Sequence, residues 1–402
     1  MEVYQVGGAV RDRLLGVEIK DRDWVVVGAS PDELLDQGYK KVGADFPVYL
    51  HPDTAEEYAL ARTERKSGAG YKGFETRASR EVTLEEDLAR RDLTVNAMAM
   101  APDGSIIDPF GGRQDLETGI LRHVTGAFVE DPLRVLRTAR FAARFNFTVA
   151  PETLDLMRQI VLSGELSTLT PERVWSELRR ALSEKSPARF IEVLRECEAS
   201  RVIFPEIDRL FGIPQPEKYH PEIDTGEHIL LALKQAARWN ASDIVRFAVL
   251  VHDLGKGTTP KKILPSHHGH EERGVTLINE FSERLRVPRE YRELAVLVSR
   301  FHTKVHRARE MKPATILRLL EGADAFRRRE RFASFLEACT IDATGRRGLE
   351  DTDYPQADRL RQALAVAAGV EARSLVEKGY DGEELALALH EARVEALTRS
   401  DN

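Results

Sequence analysis

The stretch "GVEIKDRDWVVVG" (residues 16–28) decides the fold class of the first part of the chain. Its apolar run at 24–27 is typical of a buried β-strand, yet Asp21 and Asp23 stand where that strand begins. Side chains two residues apart on a strand point to the same face, so the two carboxylates would repel each other unless a cation lay between them. Carboxylate oxygens, together with substrate phosphates, are usual ligands of Mg²⁺. The stretch therefore predicts a magnesium site, with a solvated strand end as the alternative.

The preceding stretch, "VYQVGGAVRDRLLG" (3–16), predicts a strand, a double glycine and a helix. Glycine at positions 7 and 8 lets the backbone approach a phosphate closely, and the start of a helix offers free N–H groups and a positive dipole end. Arg11 falls in the first turn of that helix, within reach of the same phosphates. Alone, this pattern fits a tight turn without a ligand equally well, but the aspartates that follow favour a phosphate site.

A third carboxylate is predicted from "EYALAR" (57–62), which is typical of another strand. If this strand lies beside residues 23–27, Glu57 could complete a cluster of three carboxylates. Such a cluster, holding two metal ions, serves in-line attack by a hydroxyl on a nucleotide α-phosphate. Glu56 is the competing candidate, because strand phase alone does not exclude it.

Basic segments follow these strands. The glycines and basic residues of "RTERKSGAGYKGFET" (62–76) are typical of a mobile loop, either an exposed hairpin tip or a loop that closes over a triphosphate or an RNA end. In "RRDLTVNA" (90–97), Arg90 and Arg91 precede Asp92, which we predict to be a helix N-cap.

The segment "EDPLRVLRTARFAARF" (130–145) predicts a helix that Asp131 caps and Pro132 begins. Because of their spacing, four arginines share one helix face: Arg134, Arg137, Arg140 and Arg144. We expect this stripe to bind an external anion rather than to pair with acidic residues elsewhere in the fold. Asp131 and Arg134 also share a face, where an acceptor and a forked donor suit the Watson–Crick edge of a base. For Asp131, capping alone is the alternative.

Histidines are concentrated in the second half of the chain, where eight of the 11 lie between residues 220 and 306. The apolar segment "FAVLVHDLGKG" (247–257) delivers His252 and Asp253, and His228 lies upstream in "TGEHILLAL". Histidine nitrogens with an aspartate oxygen predict a divalent-metal site suited to hydrolysis.

Composition narrows the class of protein. A chain of 402 residues with 42% hydrophobic and 31% charged residues is ordinary for globular domains. Its net charge of −7 argues against indiscriminate binding to long nucleic acid, but not against a local basic groove. Two distant cysteines form no disulfide framework, and we read neither a signal peptide nor a membrane span, so we expect a cytoplasmic protein.

Five segments occur in the order and form found in bacterial CCA-adding enzymes: "GGAVRDRLLG", "KDRDWVVVG", "EYALARTERKSGAGYKGF", "RRDLTVNAMA" and "EDPLRVLRTARFAARF". The chain therefore resembles the class II tRNA nucleotidyltransferases of the DNA polymerase β superfamily. The resemblance covers essentially the whole chain and implies addition of C, C and A to the tRNA 3′ end from CTP and ATP. RNA of this kind is expected to be recognised by shape and backbone.

The resemblance also implies roles for individual residues. Asp21 and Asp23 match the Mg²⁺-binding catalytic carboxylates, and Glu57 matches the third acidic position. Asp131 and Arg134 match the pair that recognises the incoming base, and residues 62–76 match the loop associated with switching from CTP to ATP. The positions that match nucleotide-binding residues are Gly8, Arg11, Arg91, Arg137 and Arg140.

The histidine-rich part resembles the HD phosphohydrolase domain that multifunctional CCA proteins carry. This implies 2′,3′-cyclic phosphodiesterase, 2′-nucleotidase and phosphatase activities with nickel or another divalent metal. It also implies His228, His252 and Asp253 as metal ligands, with Asp324 and Asp342 both candidates for the distal aspartate of such a site. Two other readings remain: a bacterial poly(A) polymerase, and an HD phosphohydrolase with a non-catalytic head.

The expected fold is an α/β nucleotidyltransferase head of the DNA polymerase β type, followed by an all-α body that includes a helical HD domain. We expect a monomer or a homodimer. The predicted boundaries are a head at 1–126, a helical neck for nucleotide recognition and RNA binding at 127–205, a proline-rich linker at 206–224, the HD domain at 225–345 and a helical segment at 346–402.

Overall fold

The computed structural model describes residues 1–19, 21–43, 47–66 and 74–401. It divides the chain into two compact units, residues 1–203 and 204–402. The first unit contains strands and helices, and the second is helical in its described residues. The α/β head and the helical body predicted from the sequence are confirmed. The five-part division into domains stays a prediction, although the boundary between the units falls close to the start of the predicted linker.

The strands of the first unit are short. Within the described residues they are β1 (Glu2–Val6), β2 (Asp23–Val27), β3 (Lys40–Val42), β4 (Val48–Leu50), β5 (Glu57–Leu60), β6 (Arg62–Lys66), β7 (Phe74–Ala78), β8 (Ala99–Met100), β9 (Ile106–Ile107), β10 (Ile120–Leu121) and β11 (Thr148–Val149). Seven of them form one sheet in the order β3-β4-β5-β2-β1-β8-β9, while β6 pairs with β7 and β10 pairs with β11. The body after residue 126 was expected to be all-helical, and β11 corrects this, since two residues are too few to produce a strand pattern.

The central strand β2 is buried on both faces of the sheet. Val26 packs in a cluster with Leu34 and Tyr49, whereas Val25 packs in a separate cluster with Val6 and Leu88. This explains why the apolar run in the sequence is continuous instead of alternating. Burial ends at the beginning of β2, where its side chains reach solvent.

Helices of the first unit cover this sheet and then form a helical layer. They are α1 (Gly8–Leu14), α2 (Pro31–Asp36), α3 (Leu84–Ala89), α4 (Gly112–Thr118), α5 (Leu133–Phe145), α6 (Pro151–Ser163), α7 (Pro171–Ser183), α8 (Pro187–Glu196) and α9 (Ser200–Ile203). The start of α2 is as predicted, because Ser30 and Glu33 form a reciprocal capping box and Pro31 begins the helix. Helix α5 packs against α7 and α8.

The second unit is built around one apolar helix. Its helices are α10 (Pro205–Asp208), α11 (Thr225–Arg238), α12 (Asp243–Val251), α13 (His270–Arg284), α14 (Arg289–His306), α15 (Pro313–Gly322), α16 (Arg329–Thr344), α17 (Pro355–Ala368), α18 (Ala372–Val376) and α19 (Gly382–Asp401). Helix α12 contacts α11, α14 and α16, and residues 245–251 are all buried. The residues that directly follow α12 therefore lie in the interior of this unit. No described helix combines the length and apolar character needed to cross a bilayer.

Two candidate active sites

The first candidate site is a cavity of about 500 Å³ in the first unit. The double glycine forms part of its wall, where β1 passes into α1. Gly7 has a φ of 67°, a backbone conformation that glycine adopts without the strain that a side chain would bring, so the turn favours glycine. Gly8 begins α1, as the predicted phosphate turn requires.

Two of the three predicted carboxylates are aligned by the sheet. Strands β2 and β5 are parallel neighbours, and their register pairs Asp23 with Glu57. Side chains at paired positions of neighbouring strands point to the same face. Glu56 is engaged elsewhere, because it accepts a hydrogen bond from Nε1 of Trp24 at 2.9 Å and another from Arg22 at 3.4 Å. The register therefore favours Glu57 over Glu56 as the neighbour of Asp23.

The carboxylates lie where two cavities meet. Asp23 and Glu57 line both the 500 Å³ cavity and an adjoining cavity of about 730 Å³, which Asp21 also lines. Partial burial raises the pKa of the Asp23 carboxyl, Arg91 lowers it and Asp21 raises it again. A cation here would reduce the repulsion between Asp21 and Asp23, and carboxylate oxygens are ligands that a hard divalent metal accepts. In the described residues, however, the oxygens of Asp21, Asp23 and Glu57 do not converge within 4.8 Å of one another as the metal-binding groups of the second unit do.

The arginine stripe on α5 differs from our expectation. Nε of Arg140 donates to Glu177 at 2.5 Å, and Nη2 of Arg144 donates to Asp12 at 2.8 Å. Arg137 likewise pairs with Asp92. The prediction that the stripe lacks acidic partners in the fold is wrong, because those partners lie on α1, α7 and the segment after α3. All four arginines nevertheless line the cavity.

Asp92 is a buried counterion rather than the predicted N-cap. The short 3₁₀ helix Thr94–Asn96 has Leu93 at its N-cap position, and Asp92 accepts hydrogen bonds from Asn96 at 3.0 Å and from Nε of Arg137 at 2.8 Å. Although burial raises it, Arg137 and Asn96 hold the pKa of the Asp92 carboxyl well below its ordinary value. A permanent negative charge thus fixes Arg137 in place.

The two residues predicted to recognise a base both line this cavity. Oδ1 of Asp131 accepts a hydrogen bond from the backbone N–H of Leu133 at 3.0 Å. The N-cap position of α5 is nevertheless Pro132, one residue later than predicted, so Asp131 lies just before the cap. Arg134 donates to the backbone carbonyls of Ala127 and Arg90. This hydrogen bond occupies one carboxylate oxygen, and the other lies 3.8 Å from Nη2 of Arg173. Recognition of a base by Asp131 therefore stays a prediction.

Of the other predicted nucleotide-binding residues, Arg11 is 3% exposed. It donates to Asp12 and to Asn96, and burial lowers its pKa. Arg91 donates to Asp87 at 3.0 Å. Both lie in the cavity wall. The basic loop at 62–76 is described only at its stems, β6 and β7, because residues 67–73 lie outside the described residues.

The second candidate site lies in the second unit and is a buried His–Asp cluster. Its members come from α11, the end of α12 and α16, and they are His228, His252, Asp253 and Asp342. Nε2 of His228 lies 3.0 Å from Oδ1 of Asp342, and Nε2 of His252 lies 3.2 Å from Oδ2 of Asp253. The side chains of all four residues are 2% exposed or less.

Asp342, and not Asp324, joins this cluster. Asp324 follows α15 and lies within 4 Å of three arginines, Arg327, Arg328 and Arg331, with its side chain 34% exposed. Asp342 also accepts from Nε2 of His306 at 2.7 Å. The sequence could not distinguish the two aspartates, because the choice depends on how α16 packs against α11 and α12.

The donor set of the His–Asp cluster fits a divalent cation. Nδ1 of His252 lies 2.7 Å from the carbonyl oxygen of Val249, which can only accept, so Nε2 of the neutral ring carries a lone pair. That Nε2 and Oδ1 of Asp253 are buried without a hydrogen-bond partner. Burial lowers the pKa of His252, but Asp253 and Asp342 raise it overall, so the site favours an added positive charge.

Sequence reasoning missed several neighbours of this cluster. Oε1 of Glu222 lies 3.0 Å from Nδ1 of His228 and 3.2 Å from Nδ1 of His220, so the predicted linker contributes to the site. Burial lowers the pKa of His220 to about 3. The concentration of histidines in this part of the sequence could have indicated His220. No pattern in the sequence indicated Glu222. A cavity of about 450 Å³ adjoins the cluster, and Lys256 and Arg346 line it.

Three family models match the chain. They are described as the poly A polymerase head domain (residues 3–122), the probable RNA and SrmB-binding site of polymerase A (146–211) and the HD domain (225–329).

Known proteins resemble the chain over its full length. Proteins named multifunctional CCA protein from Thioalkalivibrio sulfidiphilus and Nitrosococcus oceani are 60% and 61% identical over 400 residues, which is 98% of each relative's length and 99% and 100% of this chain. A solved structure of the Thermotoga maritima CCA-adding enzyme, complexed with tRNA_CCA, covers all of this chain and 92% of its own, with a TM-score of 0.62. At 20% identity, that structure supports the fold alone.

Proposed function

Because the chain belongs to the family of multifunctional CCA proteins, we propose that it adds CCA to the 3′ end of tRNA, using CTP and ATP, in tRNA maturation and repair. The observation that carries this proposal is the in-register pair of Asp23 and Glu57 at the mouth of an arginine-lined cavity. One wall of the cavity thus carries carboxylates that can hold a metal cation, and the other carries arginines whose positive charge can bind a triphosphate.

In this proposal Asp21 and Asp23 hold Mg²⁺ and Glu57 is the third catalytic carboxylate. When bound, Mg²⁺ would neutralise phosphate charge and activate the attacking 3′-hydroxyl of the RNA. The residues proposed to bind CTP or ATP are Gly8, Arg11, Arg91, Arg137 and Arg140. The backbone at Gly8 approaches the phosphates, and the guanidinium groups offer them forked donors.

The acidic partners of the arginines suit this role. A guanidinium held by Asp92 or Glu177 keeps its charge and one orientation, so it need not be ordered when the triphosphate arrives. Each guanidinium has five N–H donors, and a carboxylate takes one or two of them. Asp131 and Arg134 would then read the base edge, with Arg134 fixed by its two carbonyl acceptors.

The test uses a tRNA that lacks its CCA end, incubated with one nucleotide at a time. We expect two additions with CTP alone, one further addition when ATP follows, and then a stop. Asp23→Asn is the matched control and should add nucleotides far more slowly. A long A tail made from ATP alone would instead identify a poly(A) polymerase.

For the second unit we propose a metal-dependent phosphohydrolase that acts on 2′,3′-cyclic phosphates, 2′-nucleotides and phosphate monoesters. The buried Nε2 of His252 and Oδ1 of Asp253, both without hydrogen-bond partners, support a bound cation, with nickel the first choice. Bound there, the cation would polarise a phosphate and lower the pKa of a water. Lys256 and Arg346 give the adjoining cavity the positive charge that a phosphate needs.

This second activity is tested with a 2′,3′-cyclic nucleotide and Ni²⁺. The intact protein should hydrolyse it, and His252→Ala should not. Equal rates for the two proteins would remove the His–Asp cluster from the reaction.

A further inference from the structure

We propose that Phe141 and Phe145 are positioning residues of the first site, whose ring faces hold the arginines that bind the triphosphate. This inference rests on the proposed addition of nucleotides from CTP and ATP. The two phenylalanines lie one turn apart on α5, and their rings are nearly parallel, with centroids 6.1 Å apart and an angle of 8° between the planes. Phe141 is 4% exposed and lines the cavity of the first site. We refer to these two rings as the aromatic pair.

Three guanidinium groups lie against the ring of Phe141. Their central carbons are 4.5 Å from the ring centroid for Arg140, 5.1 Å for Arg11 and 5.7 Å for Arg137. At about 6 Å or less, a cation is attracted to the negative face of an aromatic ring. These are three of the four arginines proposed to bind the triphosphate, and they come from two helices, α1 and α5. Phe141 is therefore placed to fix their positions relative to one another.

The ring of Phe145 lies where two guanidinium groups share one carboxylate. Arg11 contacts one oxygen of Asp12 and Arg144 contacts the other, both at 2.8 Å. The same two guanidinium groups lie over Phe145, with their central carbons 4.8 Å and 5.0 Å from its centroid. Like charges at this separation repel each other, and one carboxylate balances only one of them. The ring face supplies a further attraction for both cations.

A ring face suits an anion-binding site better than a further carboxylate would. A carboxylate would hold the arginines, but its negative charge would also repel the phosphates of CTP or ATP. An aromatic ring has no net charge, so it attracts cations and leaves their positive charge available to the incoming anion. Attraction to a ring face also requires no N–H donor, so the donors of each guanidinium remain for carboxylates and phosphates. We therefore expect the aromatic pair to act on the affinity for triphosphate.

The test weakens the attraction of one ring for cations while nearly preserving its size. Phe141 is replaced in the full chain by phenylalanine analogues with one, two or three ring fluorines, which withdraw electrons from the ring face. We expect the KM for CTP to rise with each fluorine and to reach about 10-fold with three, while kcat changes by less than about 2-fold, because the arginines hold the triphosphate before and during the reaction. Calorimetric titration with CTP in the absence of RNA should show the same loss of affinity.

Two further sets of variants keep the test specific. The same analogues at Phe335, a buried residue of α16 whose ring pairs with Phe332, are the matched control and should leave the KM for CTP unchanged. Phe145 is only partly buried, so it allows ordinary substitutions. Phe145→Leu removes the ring and should weaken binding of CTP, whereas Phe145→Tyr keeps the ring and should bind CTP as the natural protein does. Urea denaturation measures the stability of every variant.

The outcomes separate this inference from the proposed function. If fluorination of Phe141 left the affinity for CTP unchanged, the inference would be overturned while nucleotide addition stood. A fall in kcat at constant KM would also overturn it, because the ring would then act on the chemical step. Equal loss of affinity in the Phe335 control would show a general effect of fluorination and would overturn it too. If the natural protein neither bound CTP nor added C to the RNA, the inference and the proposed function would fail together.

Discussion

The two candidate sites differ in how their charges are balanced before any ligand binds. In the first unit, each guanidinium of the α5 stripe already has a carboxylate or carbonyl partner, while Asp21, Asp23 and Glu57 are exposed. In the second unit, the His–Asp cluster is buried and contains acceptors without donors. The first site is therefore prepared for a charged ligand that comes and goes, whereas the second favours a resident cation.

The largest expected effect separates the two sites. Asp23→Asn should lower nucleotide addition by about 10²- to 10³-fold, because it removes a proposed ligand of the Mg²⁺ that would neutralise charge on the reacting phosphate. It should leave hydrolysis of a 2′,3′-cyclic nucleotide unchanged, and His252→Ala should do the reverse. If either variant, still folded by circular dichroism, lost both activities, the two-site comparison would fail. Full addition by Asp23→Asn would indicate a non-catalytic head.

Removing one partner of the ion pair between Asp92 and Arg137 in the first site should destabilise the folded protein. Asp92→Ala leaves Arg137 partly buried without its counterion, and we expect a loss of about 3 kcal/mol in the free energy of unfolding. Urea denaturation at pH 7 measures this loss. Asp103→Ala is the matched control, since Asp103 is exposed and its side chain accepts hydrogen bonds from Ser105, a neighbour two residues away, and should change the free energy by less than about 0.5 kcal/mol.

The same pair predicts a pH dependence. The pKa of Asp92 is lowered in the folded protein, so its contribution to stability is present above the ordinary aspartate pKa of about 3.9 and is lost as the pH falls through the folded value. Denaturation series from pH 7 to pH 3 should show a steeper loss of stability for the natural protein than for Asp92→Asn below about pH 4. Parallel curves would contradict this.

Metal should stabilise the second unit more than the first. Adding Ni²⁺ to the stripped protein at 100 times its dissociation constant should raise the free energy of unfolding by about 2.7 kcal/mol per site. Thermal unfolding monitors the shift, and Asp342→Asn should reduce it. If Asp23→Asn, and not Asp342→Asn, reduced the shift that Ni²⁺ causes in thermal unfolding, the comparison between the two sites would be reversed.

The smallest expected effect concerns the two adjacent glutamates. Glu56→Gln removes charge from contacts with Trp24 and Arg22 at a partly exposed position, so it should cost less than about 1 kcal/mol in stability and leave nucleotide addition unchanged. Glu57→Gln should instead slow addition. Equal rates for the two variants would show that the strand register does not select the third carboxylate.

Local patterns predicted the parts of each site that depend on neighbouring residues. The apolar run of β2 with two aspartates at its start, the glycines before α1 and the apolar helix ahead of His252 are all visible as short stretches. Each is confirmed as an element of structure, because burial and turn geometry act within a few residues.

What the sequence could not supply are contacts between distant elements. The partners of Arg137, Arg140 and Arg144 lie 45, 37 and 132 residues away along the chain. Nothing in the spacing of α5 indicates them. The choice of Asp342 over Asp324 has the same origin, since the packing of α16 decides which carboxylate is buried.

The parallel pairing of β2 and β5 bears on how much sequence change the first site can tolerate. Main-chain hydrogen bonds hold the two strands about 4.8 Å apart. This ladder of hydrogen bonds sets the distance between the backbones of Asp23 and Glu57, which are paired in its register. Replacing Val25 or Leu60 with another β-branched or aliphatic residue repacks the interior but leaves the ladder intact. The apolar side chains behind the two carboxylates can therefore be substituted during evolution without moving Asp23 and Glu57, provided that the strands still pair.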